Sequence, residues 1–145
     1  MRIEESVQIN RPLEEVYEYV ANPENLPEWS GIVLEVHKED PQRELREGER
    51  FTTVAKFLGR RIESPFEVTA HEFPRRHSHK STGGPLPTEW TLTFEEVAGG
   101  TRYTQVAEGE PGGFFGLVGP LLERLGRRQL KTNLENLKDL LEARG

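Results

Sequence analysis

Residues 88–108 read TEWTLTFEEVAGGTRYTQVAE, and this stretch holds two alternating segments around the pair Gly99-Gly100. Apolar and polar side chains alternate in both segments, which is the pattern of a half-buried β-strand. A short glycine turn between two such strands predicts an antiparallel hairpin, with one face in the core and the other in water. The predicted inner face carries Trp90, Leu92, Phe94, Tyr103, Gln105 and Ala107.

The same period of two extends from this hairpin towards the N-terminus. Turn residues such as Asp40-Pro41 and Phe73-Pro74 separate the segments. Alternation predicts that every second residue from Ile62 to Ala70 points inward. Consecutive strands with short connections predict an antiparallel meander. The predicted strands are Ile3–Ile9, Ile32–Lys38, Arg50–Leu58, Arg61–Glu72, Arg76–Thr82, Thr88–Val97 and Thr101–Glu108.

Helical periodicity occurs near both ends of the chain. Apolar residues recur at helical spacing from Leu13 to Val20, and a further turn is predicted to end at Trp29. A much longer amphipathic helix is predicted from Pro120 to about Ala143. Small or neutral polar groups interrupt the middle of its leucine-rich arc, which favours a helix that covers a cavity rather than a dry core. These interrupting residues are Gly126, Gln129, Asn133 and Asn136.

The composition excludes several classes of function. The chain has 145 residues and a formal charge of -6, which argues against a general binder of nucleic acid. It contains no cysteine, so disulfide scaffolds, thiolate metal sites and thiol nucleophiles are excluded. No signal peptide is recognisable, and the longest uncharged run, Pro111 to Leu122, is too short to span a bilayer. We therefore expect one cytoplasmic domain over residues 1–145, monomeric or homodimeric, with no integral membrane segment.

Several phrases of the sequence, taken with the order of its elements, resemble a known superfamily. The final helix, over residues 120–138, is one of them. The others include SVQINRP at 6–12, NPENLPEW at 22–29, FEVT at 66–69, FPRR at 73–76 and GTRYT at 100–104. Together these phrases resemble the START-like (SRPBCC) superfamily, in its polyketide cyclase/dehydrase and lipid transport branch.

The resemblance implies an α+β helix-grip fold. In this fold a seven-stranded antiparallel sheet curls around a long C-terminal helix, and two short helices lie between strands 1 and 2. An elongated apolar cavity is implied between the sheet and the long helix. Members bind lipids, polyketides, hormones or other hydrophobic molecules, and some are aromatases or cyclases, so the fold alone does not define the activity.

The most unusual local feature is His77-Ser78-His79. Alternation places both imidazoles on the same face of their strand. Pointing inward, they could donate hydrogen bonds to a ligand carbonyl or act as general acid and base near neutral pH. A one-residue slip of register would instead leave both at the rim or in solvent. A metal site would need a third ligand, which the sequence does not identify, so we predict no metal and no cofactor.

Further candidates lie on predicted inward positions of other strands. Tyr103 and Gln105 could stack on a ligand ring and orient its oxygens, or Tyr103 could simply fill the core. Glu5 shares the inward face of the first strand, where a buried carboxylic acid could serve as a proton donor. Charged groups near a strand end are more often solvated.

The remaining candidate features lie around the long helix and on the apolar wall. Residues Phe114–Gly119 could form a mobile gate at the cavity mouth or a static loop before the helix. A cationic helix face around Arg127 could touch a membrane surface or an acidic partner, or could simply be solvated. Besides the histidines, Tyr103 and Gln105, the predicted ligand-binding residues are Phe66, Val68, Trp90, Leu92, Phe94, Phe115, Val118, Leu122, Leu125 and Gln129.

These observations lead to one main hypothesis and two alternatives. The main hypothesis is a protein that binds a small hydrophobic, lipid-like or aromatic ligand in an internal cavity. An enzyme of the cyclase/dehydrase type would use His77, His79, Tyr103 or Glu5 as acid or base in the same cavity. An interaction module would instead have a filled interior and a large exposed apolar patch.

Overall fold

Seven strands form one antiparallel sheet in the order β1-β7-β6-β5-β4-β3-β2. The computed structural model describes residues 1–43, 46–110 and 116–144. The strands are β1 (Arg2–Ile9), β2 (Val33–Lys38), β3 (Arg50–Phe57), β4 (Arg60–Glu72), β5 (Arg76–Ser81), β6 (Thr88–Val97) and β7 (Gly100–Gly109). Each of the predicted strands is confirmed, and their bounds agree with the prediction to within one residue.

Within these residues, three α-helices accompany the sheet. Between β1 and β2 lie α1 (Leu13–Ala21) and α2 (Leu26–Trp29), with a 3₁₀ turn at Pro23–Asn25 between them. The long helix α3 (Gly119–Ala143) follows β7. No helix in the described ranges combines the length and the apolar character that crossing a bilayer requires.

The sheet curls around α3, because this helix contacts strands that are far apart in the sheet. Leu130 packs with Ile3 of the edge strand β1, whereas Leu122 packs with Ile62 of β4. Three strands separate β1 from β4 in the sheet order. This arrangement of a curled antiparallel sheet around a long helix confirms the predicted helix-grip fold.

The C-terminal half of α3 packs into a continuous core. Leu134, Leu137 and Leu141 are almost fully buried against β1, β6, β7 and α1. Within the same core, the ring of Phe94 lies 4.8 Å from that of Tyr17 and 5.0 Å from that of Tyr103. This core anchors α3 and α1 to the sheet.

One irregularity in β4 changes which side chains face inward. Val68 pairs with His79, as alternation predicts, but the register then shifts, so that Ala70 pairs with Ser78 and His71 pairs with His77. The prediction that Ala70 points inward on the same face as Val68 is therefore wrong. An extra residue in the strand reverses the alternation beyond it, and His71 takes the inward position.

Candidate functional site

A cavity of about 210 Å³ lies between the sheet and the N-terminal half of α3. All seven strands and all three described helices contribute to its wall. One water molecule needs roughly 10–15 Å³ on this measure, so the cavity has room for on the order of ten to twenty non-hydrogen atoms. Most of the lining is aliphatic or aromatic, including Phe51, Phe66, Trp29 and Trp90. A largely apolar enclosure of this kind is typical of a small-molecule site.

The part of α3 nearer its N-terminus borders the cavity with small and amide side chains. Of the four predicted positions, Gly126, Gln129 and Asn133 line the cavity, whereas Asn136 is exposed and lies off the described wall. A Cβ atom on Gly126 would lie only 3.1 Å from Cδ1 of Ile3, so glycine permits the close approach of α3 to β1 there. The helix can therefore sit close to β1 without a side chain that would fill the space.

Asn133 connects this helix to the segment that follows α2. Its Oδ1 accepts hydrogen bonds from the Gly31 backbone N–H at 3.0 Å and from Nε2 of Gln129 at 2.8 Å. Its Nδ2 donates to Oγ of Ser30 at 3.3 Å. These partners satisfy a polar group that is 5% exposed. Asn133 thus holds the end of α2 against α3 beside the cavity.

Both histidines of β5 line the cavity, so the solvent-facing alternative does not occur. His77 is 2% exposed. The His79 ring lies among aromatic neighbours, with centroids 4.9 Å from Phe66, 5.1 Å from Phe51 and 6.3 Å from Trp90. Its Nδ1 is buried and has no hydrogen-bond partner among the described residues.

A chain of polar contacts leads away from His77. The Nδ1 atoms of His77 and His71 lie 3.2 Å apart, and Nδ1 of His71 lies 3.0 Å from the Tyr17 hydroxyl. The Tyr17 hydroxyl also donates to the Arg76 carbonyl at 3.1 Å. Since Nδ1 of His77 is directed to His71, its other ring nitrogen, Nε2, is the one left to face the cavity.

Burial keeps both inward imidazoles neutral at ordinary pH. Desolvation, with repulsion from His71, lowers the pKa of His77 from 6.5 to about 4. Desolvation, with repulsion from His77, lowers the pKa of His79 to about 3. Burial, with the nearby Glu72 carboxylate, raises the pKa of Tyr17 to about 12. At neutral pH the histidines therefore offer one N–H donor and one lone pair each, and no charge.

A second polar group reaches the cavity from β7. The Tyr103 hydroxyl donates to Oε1 of Gln105 at 2.8 Å, and both side chains line the cavity. Burial raises the pKa of Tyr103 well above 10. Because the amide oxygen of Gln105 accepts from Tyr103, the amide N–H groups are left as donors towards a ligand.

The structure brings nine of the fourteen candidate ligand-binding residues to the cavity wall. They are Phe66, His77, His79, Trp90, Leu92, Tyr103, Gln105, Leu122 and Gln129. Val68 and Phe94 lie in packed core clusters instead, and Val118 and Leu125 are partly buried and lie off the described wall. Phe114 and Phe115 of the predicted gate lie outside the described residues; within the rest of the gate segment, Leu117 is 87% exposed.

Glu5 does not line the cavity, although it faces the predicted side of β1. It pairs with Gln105 in the sheet, and its side chain is partly exposed. The acid candidates at the described wall are therefore the histidines and Tyr103.

Sequence reasoning missed His71 and the wall that follows α1. His71 was recoverable, because pairing outward from the Phe73-Pro74 turn places it opposite His77. The wall residues Val20, Trp29, Ser30 and Ile32 depend on how the short helices pack over the sheet, and no local pattern in the sequence indicates that.

In the described part of the chain, no group of three His, Cys, Asp or Glu side chains is arranged to hold a metal ion.

The curled sheet, the long helix and the cavity between them define a helix-grip protein of the START-like (SRPBCC) type. The family model for polyketide cyclase/dehydrase and lipid transport matches residues 1–142. The chain belongs to this family.

Solved structures agree on the fold. TTHA0849 from Thermus thermophilus is 22% identical with a TM-score of 0.85, and the match covers 100% of this chain and 99% of that one. NE0264 from Nitrosomonas europaea is 20% identical with a TM-score of 0.74, covering 100% and 96%. DR_A0006 from Deinococcus radiodurans is 18% identical with a TM-score of 0.73, covering 99% and 98%. No curated protein matches the chain in sequence.

Proposed function

We propose that the protein binds a small, largely apolar molecule in the cavity between its sheet and α3. The observation that carries this proposal is the cavity wall itself, in which aromatic and aliphatic side chains surround a few convergent polar groups. Burying roughly 300 Å² of apolar ligand surface at about 25 cal/mol/Å² gives a gross gain of about 7 kcal/mol before the costs of association. Micromolar binding corresponds to about 8 kcal/mol net, so hydrogen bonds to the polar groups of the wall have to add to this gain.

The residues that we assign to the ligand fall into two groups. Phe66, Trp90 and Leu92 supply apolar contact area on the sheet side, with Leu122 on the helix side. Nε2 of His77 and the amide of Gln105 supply hydrogen bonds to a ligand oxygen. In the sheet, Leu92 pairs with His77 on one side and with Gln105 on the other, so the two polar residues lie on either side of Leu92.

The test is binding of an apolar probe, methyl 2-naphthoate, by isothermal titration calorimetry. We expect a Kd in the micromolar range for the natural sequence and a loss of at least about tenfold in Ala107→Phe, which places a ring in the cavity. Ala98→Phe, at an exposed position in the β6–β7 turn, is the matched control and should bind normally. Failure of the natural sequence to bind would contradict the proposal, as would unchanged binding in Ala107→Phe.

A second candidate function, proton transfer on a bound carbonyl compound, is favoured by the contact between His77 and His71. Nδ1–H of His71, 3.2 Å from Nδ1 of His77, holds His77 in the tautomer that donates from Nε2, and this donor stabilises the enolate oxygen while water removes a proton from the carbon next to the carbonyl. Exchange of the C1 and C3 protons of 2-tetralone for deuterium in D₂O, followed by NMR, measures this step. We expect His77→Leu to abolish any protein-dependent exchange, while His37→Leu, at an exposed site, leaves it unchanged.

A further inference from the structure

The side chains of the cavity wall carry no formal charge. Among the lining residues that the structure describes, there is no Lys, Arg, Asp or Glu. Over the whole chain, 30% of the residues are charged. The charged side chains lie instead on the outer faces of the sheet and helices, where pairs such as Arg50 with Glu67 and Arg127 with Glu123 are exposed.

The polar side chains on this wall supply no counter-charge either, because they are hydroxyls, amides and two imidazoles. Met1 also lines the wall, and its ammonium group is held at the end of β7 by a hydrogen bond to the Gly109 carbonyl at 2.9 Å. His77 faces His71 and Tyr17 on one side and His79 on the other, so none of its described ring neighbours is a carboxylate that would favour its protonation. The lowered pKa values of His77 and His79 agree with this arrangement, since both groups are neutral at pH 7.5.

We propose that the cavity accepts uncharged molecules such as alcohols, ketones, amides and esters, and excludes carboxylates, free fatty acids among them. This inference rests on the proposed ligand-binding function and adds the charge class of the ligand. A carboxylate entering the cavity would lose its hydration and find no cationic side chain on the described wall. A cationic partner would form only if a buried imidazole were protonated, which is unfavourable at a pH far above the pKa of that imidazole.

The experiment compares 2-naphthamide with 2-naphthoate at pH 7.5 by isothermal titration calorimetry. The two molecules have the same ring and nearly the same shape, and they differ in charge. We expect the amide to bind in the micromolar range and the carboxylate to bind at least about 100-fold more weakly. Ala107→Phe, which places a ring in the cavity, should weaken amide binding, and Ala98→Phe should leave it unchanged.

The outcomes separate this inference from the proposed function. If neither 2-naphthamide nor methyl 2-naphthoate binds, the proposed function itself is overturned. If the ester and the amide both bind and 2-naphthoate binds within about threefold of 2-naphthamide, the cavity is a ligand site and only the charge selection is overturned. Weak or absent binding of the carboxylate, together with tight binding of the amide, supports the inference.

Discussion

The two halves of α3 lie against the same sheet but border different interiors. In the C-terminal half, Leu134, Leu137 and Leu141 are at most 2% exposed and fill the space beneath α1. Nearer the N-terminus, Gly126 and Gln129, with Asn133 close to the middle of the helix, take the inward positions beside a cavity of about 210 Å³. The difference shows that the cavity follows from a local choice of side chains along one helix, since the backbone of the helix is continuous through both regions.

The largest expected effect compares one leucine from each half. Leu137→Ala should lower the free energy of unfolding by about 4 kcal/mol, because it opens a void in a closely packed core. Leu130→Ala should cost about 2 kcal/mol, because Leu130 already borders the cavity and has fewer packing contacts to lose. Urea unfolding followed by circular dichroism measures both. Equal losses would mean that the two halves are packed alike, contrary to the comparison.

The next effect uses pH to probe the histidines at the cavity end. His77 is neutral in the folded protein down to about pH 4, whereas an unfolded chain takes up the proton below about pH 6.5. The unfolded state therefore binds more protons in this window, and the free energy of unfolding should fall as the pH drops from 6.5 to 4, by about 3 kcal/mol from His77 alone.

The control for this pH effect separates His77 from the other titrating groups. His77→Gln should remove most of its contribution between pH 6.5 and 4, so that the variant loses stability more gently than the natural sequence. His37→Gln changes an exposed side chain and should leave the slope unaltered. A His77→Gln variant with the natural slope would show that His77 is protonated as easily in the fold as outside it.

The smallest of these effects concerns the two asparagines that connect α3 to the end of α2. Asn133→Ala leaves the Gly31 N–H and Ser30 hydroxyl without their partner and should cost about 2 kcal/mol. Asn136→Ala removes a single long contact of 3.5 Å to the Trp29 carbonyl and should cost less than about 1 kcal/mol. Thermal unfolding of the two variants gives the comparison, and a larger loss for Asn136→Ala would reverse our assignment.

Much of the fold could be predicted because its period is local. Alternation with glycine and proline turns defines each strand, and the interrupted leucine arc of α3 indicates a cavity on that side. The inward placement of His77 and His79 follows from the same alternation. These features depend on residues a few positions apart, which a single sequence contains.

The remaining site could not be predicted because it depends on irregular pairing and on packing. The shift between Val68 and Ala70 is a property of two strands together, and it brings His71 to His77. Whether an inward residue borders the cavity or the core is also not local. Leu92 and Phe94 share a face of β6, yet Leu92 borders the cavity and Phe94 lies off the described wall, packed against Tyr17.

The position of the tryptophans has a practical consequence. The chain contains two of them, and both border the cavity, Trp29 from α2 and Trp90 from β6. Indole emission responds to the polarity of its immediate surroundings, so every photon of tryptophan fluorescence from this protein originates beside the candidate site. The protein thus contains its own optical reporter, and libraries of transparent compounds can be screened against it without attaching a dye.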